Sequence, residues 1–180
     1  MKHCSQCGAS VEIRIPEGDT RERHVCATCG QIHYSNPRMV VGCIAEWEGK
    51  ILLCKRAIQP RQGYWTLPAG FLEHGETTEQ GAARETLEEA CAQVDLHAPF
   101  ALFSVPHIGQ VHIFYRARVV DGAFGVGHET LDAALFDEEE VPWDTLAFST
   151  VLKTLGYYFA DRRAGPFGFH TGTICGPPRG

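Results

Sequence analysis

The feature that most constrains this chain is Gly70-Phe-Leu-Glu-His-Gly-Glu76, followed seven residues later by Arg84-Glu85-Thr86-Leu87-Glu88-Glu89. A loop leading into a helix would gather four carboxylates and one arginine into one place. At ~100° per residue, Glu85, Glu88 and Glu89 fall in one narrow arc. Ala83, Leu87, Ala90, Cys91 and Val94 occupy the opposite arc, so the spacing predicts a helix that packs on the second face and binds something positive on the first. Its start is signalled by Thr77-x-x-Gln80, a capping-box spacing, and by Glu79 near the positive helix end.

Close carboxylates repel by roughly 4 kcal/mol per pair at ~4 Å and an effective dielectric of about 20, so a bare cluster resists full ionisation. A divalent cation removes that penalty. Oxygen-only ligation without nearby His or Cys favours Mg²⁺ or Mn²⁺ over zinc. A solvated acidic face with an Arg84/Glu88 pair would be the plain reading of the Glu-Glu run alone, but Gly70 and Glu76 at fixed distance upstream argue for a site.

Cys4-x-x-Cys7 and Cys26-x-x-Cys29 carry the spacing of a four-thiolate structural zinc site, and each pair is followed by a glycine, Gly8 or Gly30. Between them Val11, Ile13 and Ile15 alternate, Pro16 to Asp19 reads as a turn, and Arg21, Arg23 and Val25 alternate back. The expectation is a zinc ribbon. No apolar leader stretch precedes the cysteines, which favours zinc over two disulfides and points to a reducing, cytoplasmic compartment. Cys43, Cys54, Cys91 and Cys175 read as reduced packing residues.

The ribbon spans residues 1–34, and Tyr34-Ser-Asn-Pro37 marks a hinge. Arg38 to Trp47 and Lys50 to Arg56 read as strands of a hairpin turning at Glu48-Gly49. Further strands are expected over 100–105, 111–120 and 131–136, a second helix over 146–163, and a Gly/Pro-rich, flexible tail over 164–180. Strands enclosing helices at both ends predict an α/β sandwich. No apolar run is long enough to span a membrane. The net charge of −6 offers no general attraction to nucleic acid, and residues 1–37 balance four Lys/Arg against four Asp/Glu, so the ribbon is not a basic patch.

The acidic segment resembles the Nudix box, G-x5-E-x7-R-E-U-x-E-E-x-G-U with U aliphatic. Gly70, Glu76, Arg84, Glu85, Glu88 and Glu89 match it; Thr86, Cys91 and Ala92 depart, and Cys91 replaces the glycine that ends the helix. Longer runs, Ile32 to Gly42, Leu53 to Arg56, Gln59-Pro60, Trp65 to Gly70, Pro106 to Gln110, and Pro142 with Leu146 to Ser149, resemble zinc-ribbon Nudix hydrolases of the plant plastid FAD pyrophosphatase type. The resemblance implies a Nudix α/β/α sandwich with a mixed sheet over 38–163. It also implies hydrolysis of the diphosphate of a small dinucleotide such as FAD, giving FMN and AMP, or ADP-ribose. Glu85, Glu88 and Glu89, with the carbonyl near Ala69, would hold Mg²⁺ or Mn²⁺. Arg84 would orient the glutamates, and Glu76 would brace the loop about Gly70.

The general base is expected to be a box glutamate, Glu88 among them, or Glu129 in the glycine-rich loop Gly125 to Glu129. Arg56 is the candidate phosphate contact, and Trp65 and Phe71 the candidates for stacking on a base or flavin. His74, His107 and His112 lack metal spacing and receive no role. Ribbon-bearing relatives tend to dimerise, so a homodimer is an expectation of the resemblance alone. Three alternatives stay open: an NADH pyrophosphatase, whose Ser-Gln-Pro-Trp-Pro-Phe-Pro signature is absent, an RNA-decapping enzyme, and a nucleotide-binding regulator without catalysis.

Overall fold

The computed structural model describes residues 1–176. Contacts divide the chain into two units, Met1–Asn36 and Pro37–Gly180.

In the first unit, β1 (Val11–Arg14) pairs antiparallel with β2 (Arg23–Cys26), which pairs antiparallel with β3 (Ile32–His33). Ile13 and Ile15 are exposed, and the buried apolar residues are Cys4, Pro16, Val25 and Cys26. So few buried groups cannot hold three short strands without a cross-link.

The second unit is built on a mixed sheet of eight strands. β4 (Arg38–Trp47) and β5 (Lys50–Arg56) form the expected hairpin, turning at Glu48 and Gly49, both with positive φ. Two short strands follow, β6 (Trp65–Thr66) against β5 and β7 (Ala69–Phe71) against β4. Then come α1 (Thr78–Ala90), β8 (Val94–Val105), β9 (Gln110–Val119), β10 (Thr130–Phe136), α2 (Ser149–Ala164) and β11 (His170–Thr173). The main order is β10-β5-β4-β9-β8-β11, parallel at β4/β9 and β8/β11 and antiparallel elsewhere.

Alternation along each strand sends side chains to two cores. Ile44, Ile51, Leu53, Phe103 and Phe114 pack with Val151, Leu155, Tyr158 and Phe159 of α2. Val41, Cys43, Ala45, Leu52 and Tyr115 pack with Ala82 and Ala90 of α1. The result is the α/β/α sandwich expected from the sequence.

Three sequence expectations need correction. The packed face of α1 carries Gly81, Ala82, Thr86, Glu89 and Ala90, while Leu87 is 48% exposed. Helical angles alone gave the wrong phase because Glu89 turns inward, and Thr86, in an aliphatic place, buries its hydroxyl by donating to the Ala82 carbonyl at 2.8 Å. The segment after residue 163 is not a loose tail: β11 adds to the sheet edge, Phe167 stacks on Tyr158, and Ile174 is buried. Its Gly and Pro content masked those apolar anchors, and residues 177–180 lie outside the described residues. Finally, Cys43 and Cys54 are buried, but Cys91 and Cys175 are exposed.

Candidate active site

The capping box forms as the sequence predicts: Gln80 N–H donates to Thr77 Oγ1, and Thr77 N–H to Gln80 Oε1. At the other end Cys91 takes φ 49°, ψ 25°. A cysteine therefore fills the left-handed position that glycine takes at little cost, and the helix still stops there.

The helix fixes the acids, and Arg84 fixes their relation to the preceding loop. Its Nε and Nη2 donate to the two oxygens of Glu76 at 3.0 and 2.8 Å, and Nη2 also reaches the Phe71 carbonyl. Nη1 donates to Glu85 at 2.7 Å and to Glu88 at 3.1 Å. Glu76 Oε1 in turn accepts from Glu73 N–H. The Arg84 guanidinium, followed by that backbone N–H, holds the Glu76 carboxyl down at about 2.

Two glycines bring backbone against the acids. A Cβ on Gly70 would lie 2.3 Å from the Glu85 carboxylate, so only glycine lets it rest there. A Cβ on Gly127 would fall 1.8 Å from the Glu88 carbonyl, and Gly127 N–H donates to the Glu89 carbonyl. This contact seats the loop carrying Glu129 on the end of α1.

Glu89 is 8% exposed, and burial pushes its carboxyl up to about 7 despite the Ala69 N–H that donates to it at 3.0 Å. Glu85 is likewise raised, chiefly by burial, and Glu129 adds to both shifts. The contact that Ala69 makes with the cluster is thus through its N–H.

These groups line one cavity of about 810 Å³. Arg56, Phe71, Arg84, Glu85, Glu88, Glu89 and Glu129 all border it. Arg56 donates from Nε to the Pro60 carbonyl and lies over the Phe148 ring at 5.1 Å, while Arg38 lies over Phe71 at 4.5 Å. Trp65 does not line the cavity; it packs edge-on against Phe136, 5.0 Å between centroids, beside Lys55. Sequence reading passed over Gln110, His112 and Thr150, which line it too. The available signal was two polar residues at alternating places at the start of β9, ahead of the apolar run Ile113 to Tyr115.

The donor set suits a hard divalent cation. Glu89 has one N–H partner for a buried carboxylate, and with Glu85, Glu88 and Glu129 it supplies oxygen alone, the ligand chemistry of Mg²⁺ or Mn²⁺. These acids are not drawn together into a ready cluster: Glu85 and Glu88 are turned to Arg84. Among the described residues, the group whose ligand atoms lie mutually within 4.8 Å is Cys4, Cys7, Cys26 and Cys29. There Gln6 N–H points at Cys4 Sγ and Cys29 N–H at Cys26 Sγ, and such backbone donors hold the Cys26 thiol down to about 6. The soft tetrathiolate set fits zinc.

The family model described as Nudix N-terminal matches residues 2–35, and the NUDIX domain model matches residues 36–153. A crystal structure of a NUDIX hydrolase from Nitrosomonas europaea is 53% identical, with a TM-score of 0.94, covering 97% of this chain and 99% of that one. An ADP-ribose pyrophosphatase of Methanocaldococcus jannaschii is 32% identical over 61% of this chain and 67% of its own length. A NAD-capped RNA hydrolase NudC of Vibrio atlanticus is 28% identical over 86% of this chain, which spans only 56% of that relative.

Proposed function

The chain belongs to the NUDIX domain family of hydrolases, and from that premise we propose that it is a divalent-cation-dependent pyrophosphatase acting on a nucleoside diphosphate derivative such as ADP-ribose or FAD. The observation that carries this reading is a cavity lined together by Glu85, Glu88, Glu89, Glu129, Arg56 and an apolar wall. Arg56, and a divalent cation held by the carboxylates, suit a diphosphate, and the wall suits the nucleoside halves.

A diphosphate resists attack because its oxygens are negative. Mg²⁺ held by Glu85, Glu88 and Glu89 would screen those oxygens and acidify a water. Arg84 orients Glu85 and Glu88 while tying them to the loop through Glu76. Arg56, anchored on the Pro60 carbonyl, offers its remaining donors to a phosphate. Glu88 or Glu129 takes the proton of the attacking water as the phosphorus–oxygen bond to the leaving phosphate breaks. The four cysteines hold a structural Zn²⁺.

ADP-ribose is favoured by the likeness to the archaeal ADP-ribose pyrophosphatase, and FAD by the long runs resembling the plastid enzyme. The NudC likeness brings NAD-capped RNA in as a second substrate reading, against which the net charge of −6 counts. The test is product analysis with Mg²⁺ and, separately, ADP-ribose, FAD, NADH, a nucleoside triphosphate and a NAD-capped oligoribonucleotide. AMP from ADP-ribose or FAD, absent in Glu88→Gln, supports the reading. Tight nucleotide binding without any hydrolysis makes the protein a binding module instead.

A further inference from the structure

We propose that Gln110 is a specificity-determining residue of the cavity: its side-chain amide, held from behind by His112 and Thr150, donates a hydrogen bond to an acceptor atom on the planar ring of the substrate. The proposal rests on the dinucleotide reading above and concerns the part of the same cavity lined by the start of β9.

β9 begins at Gln110, and alternation places Gln110, His112 and Phe114 on the face that looks toward Thr150 and Val151 of α2. All five border the cavity. His112 is 9% exposed, with Nε2 2.8 Å from Gln110 Oε1 and Nδ1 3.2 Å from Thr150 Oγ1. Burial holds the imidazole down at about 4, so near neutrality it is uncharged and carries one N–H. With the Gln110 oxygen, which can only accept, turned to Nε2, that N–H belongs on Nε2, and Nδ1 is left to accept from the Thr150 hydroxyl.

The chain of bonds has a direction, and its direction decides what the cavity presents. The Gln110 oxygen is engaged, whereas its nitrogen has no partner among the described residues. An amide N–H at a cavity wall, once a ligand displaces water, must find an acceptor or remain unsatisfied. Close in sequence, Ile108 is 50% exposed, and Phe71 is 41% exposed; both also line the cavity. Apolar surface beside a fixed donor suits an aromatic ring with a carbonyl oxygen or unprotonated nitrogen on its edge, a property shared by adenine and flavin. A donor fixed by a buried imidazole is already oriented before binding, which limits the ordering cost of recognition.

A packing role for Gln110 would affect folding or turnover, whereas ring recognition affects binding. Steady-state kinetics on ADP-ribose and FAD with Mg²⁺ separate the two. Gln110→Leu, which keeps the bulk and removes the donor, is expected to raise KM about ten-fold with kcat within about two-fold of wild type. Thr150→Val, which frees the imidazole, is expected to raise KM by a smaller factor. An unchanged KM in Gln110→Leu, or a fall in kcat alone, overturns the proposal. Should Gln110→Leu not fold, Gln110→Ala is read in the same way. If the wild type hydrolyses neither dinucleotide, the function reading fails on its own account. Calorimetric binding of AMP and FMN then decides this one: about ten-fold weaker binding to Gln110→Leu sustains it, and equal binding overturns it.

Discussion

Arg84 grips both oxygens of Glu76, Nε to Oε2 at 3.0 Å and Nη2 to Oε1 at 2.8 Å, across eight residues of sequence. The same guanidinium reaches Glu85 and Glu88, so one side chain couples the loop after β7 to the acidic face of α1. Arg84→Lys keeps the charge and loses the fork, and a lysine cannot bridge three carboxylates in one plane. Turnover should fall on the order of 100-fold, as expected when catalytic groups shift by about 1 Å. Steady-state kinetics check this. Wild-type turnover in Arg84→Lys would make the clamp ornamental.

Glu89 predicts opposite responses with and without a divalent ion. Its carboxyl is buried and raised to about 7, so in chelator Glu89→Gln should be at least as thermally stable as wild type. With Mg²⁺ or Mn²⁺ added, wild type should gain melting temperature by mass action and Glu89→Gln should gain much less. Equal gains in both proteins would remove Glu89 from the ion's ligands.

The ribbon should depend on zinc for its structure. Cys4, Cys7, Cys26 and Cys29 lie close enough together to supply, through a bound zinc, the cross-link that its few buried residues require. Strong chelation, or Cys26→Ser, should open the segment 1–36 to protease while the fragment from Pro37 onward resists. Metal analysis before and after treatment accompanies the digest. An intact ribbon in zinc-free protein would contradict this account.

His112 ties stability to pH. Its folded value of about 4 lies below the ordinary 6.5, so the unfolded chain takes up a proton that the native imidazole refuses. Its contribution is fully present above pH about 6.5, is lost progressively as pH falls toward 4, and then levels off. After discounting for partial solvent access, the loss is about 2 kcal/mol. Denaturant midpoints at pH 7.5 and pH 5 should differ less in His112→Gln than in wild type. Equal differences would remove His112 as the cause.

Phe167 anchors the segment after α2. It stacks on Tyr158, meets Phe100 edge-on, and lies 3.3 Å beneath the Arg116 guanidinium. Phe167→Ala should cost about 2 kcal/mol in chemical unfolding and should loosen β11 from the edge of β8, seen as faster amide exchange there. Unchanged exchange over 170–173 would show that β11 holds without it.

The hairpin at Glu48-Gly49, the capping box and the sandwich were legible because each depends on local spacing that water and backbone geometry enforce. What escaped depended on contacts distant in sequence. Helical angles put Leu87 on the packed face, but Glu89 turns inward because Ala69 N–H, twenty residues earlier, receives its carboxylate. Composition marked the end of the chain as loose, although Phe167 and Ile174 find apolar partners on β8 and α2. Around the cavity, the placing of the glutamates, Arg84 and Gly70 was readable from the box, since one loop and one helix fix their spacing. Gln110 and His112 were not: their importance comes from Thr150, thirty-eight residues beyond His112. Trp65 looked like a stacking residue by type, but its indole is occupied by Phe136.

The most direct test of the central claim is AMP release from ADP-ribose and from FAD as a function of Mg²⁺ concentration, in wild type and Glu88→Gln. Saturable dependence on Mg²⁺ with at least one dinucleotide, abolished by chelator and nearly absent in Glu88→Gln, is the expected result. AMP release that ignores the ion, or that Glu88→Gln retains in full, would contradict the assignment of the acidic face of α1 to catalysis.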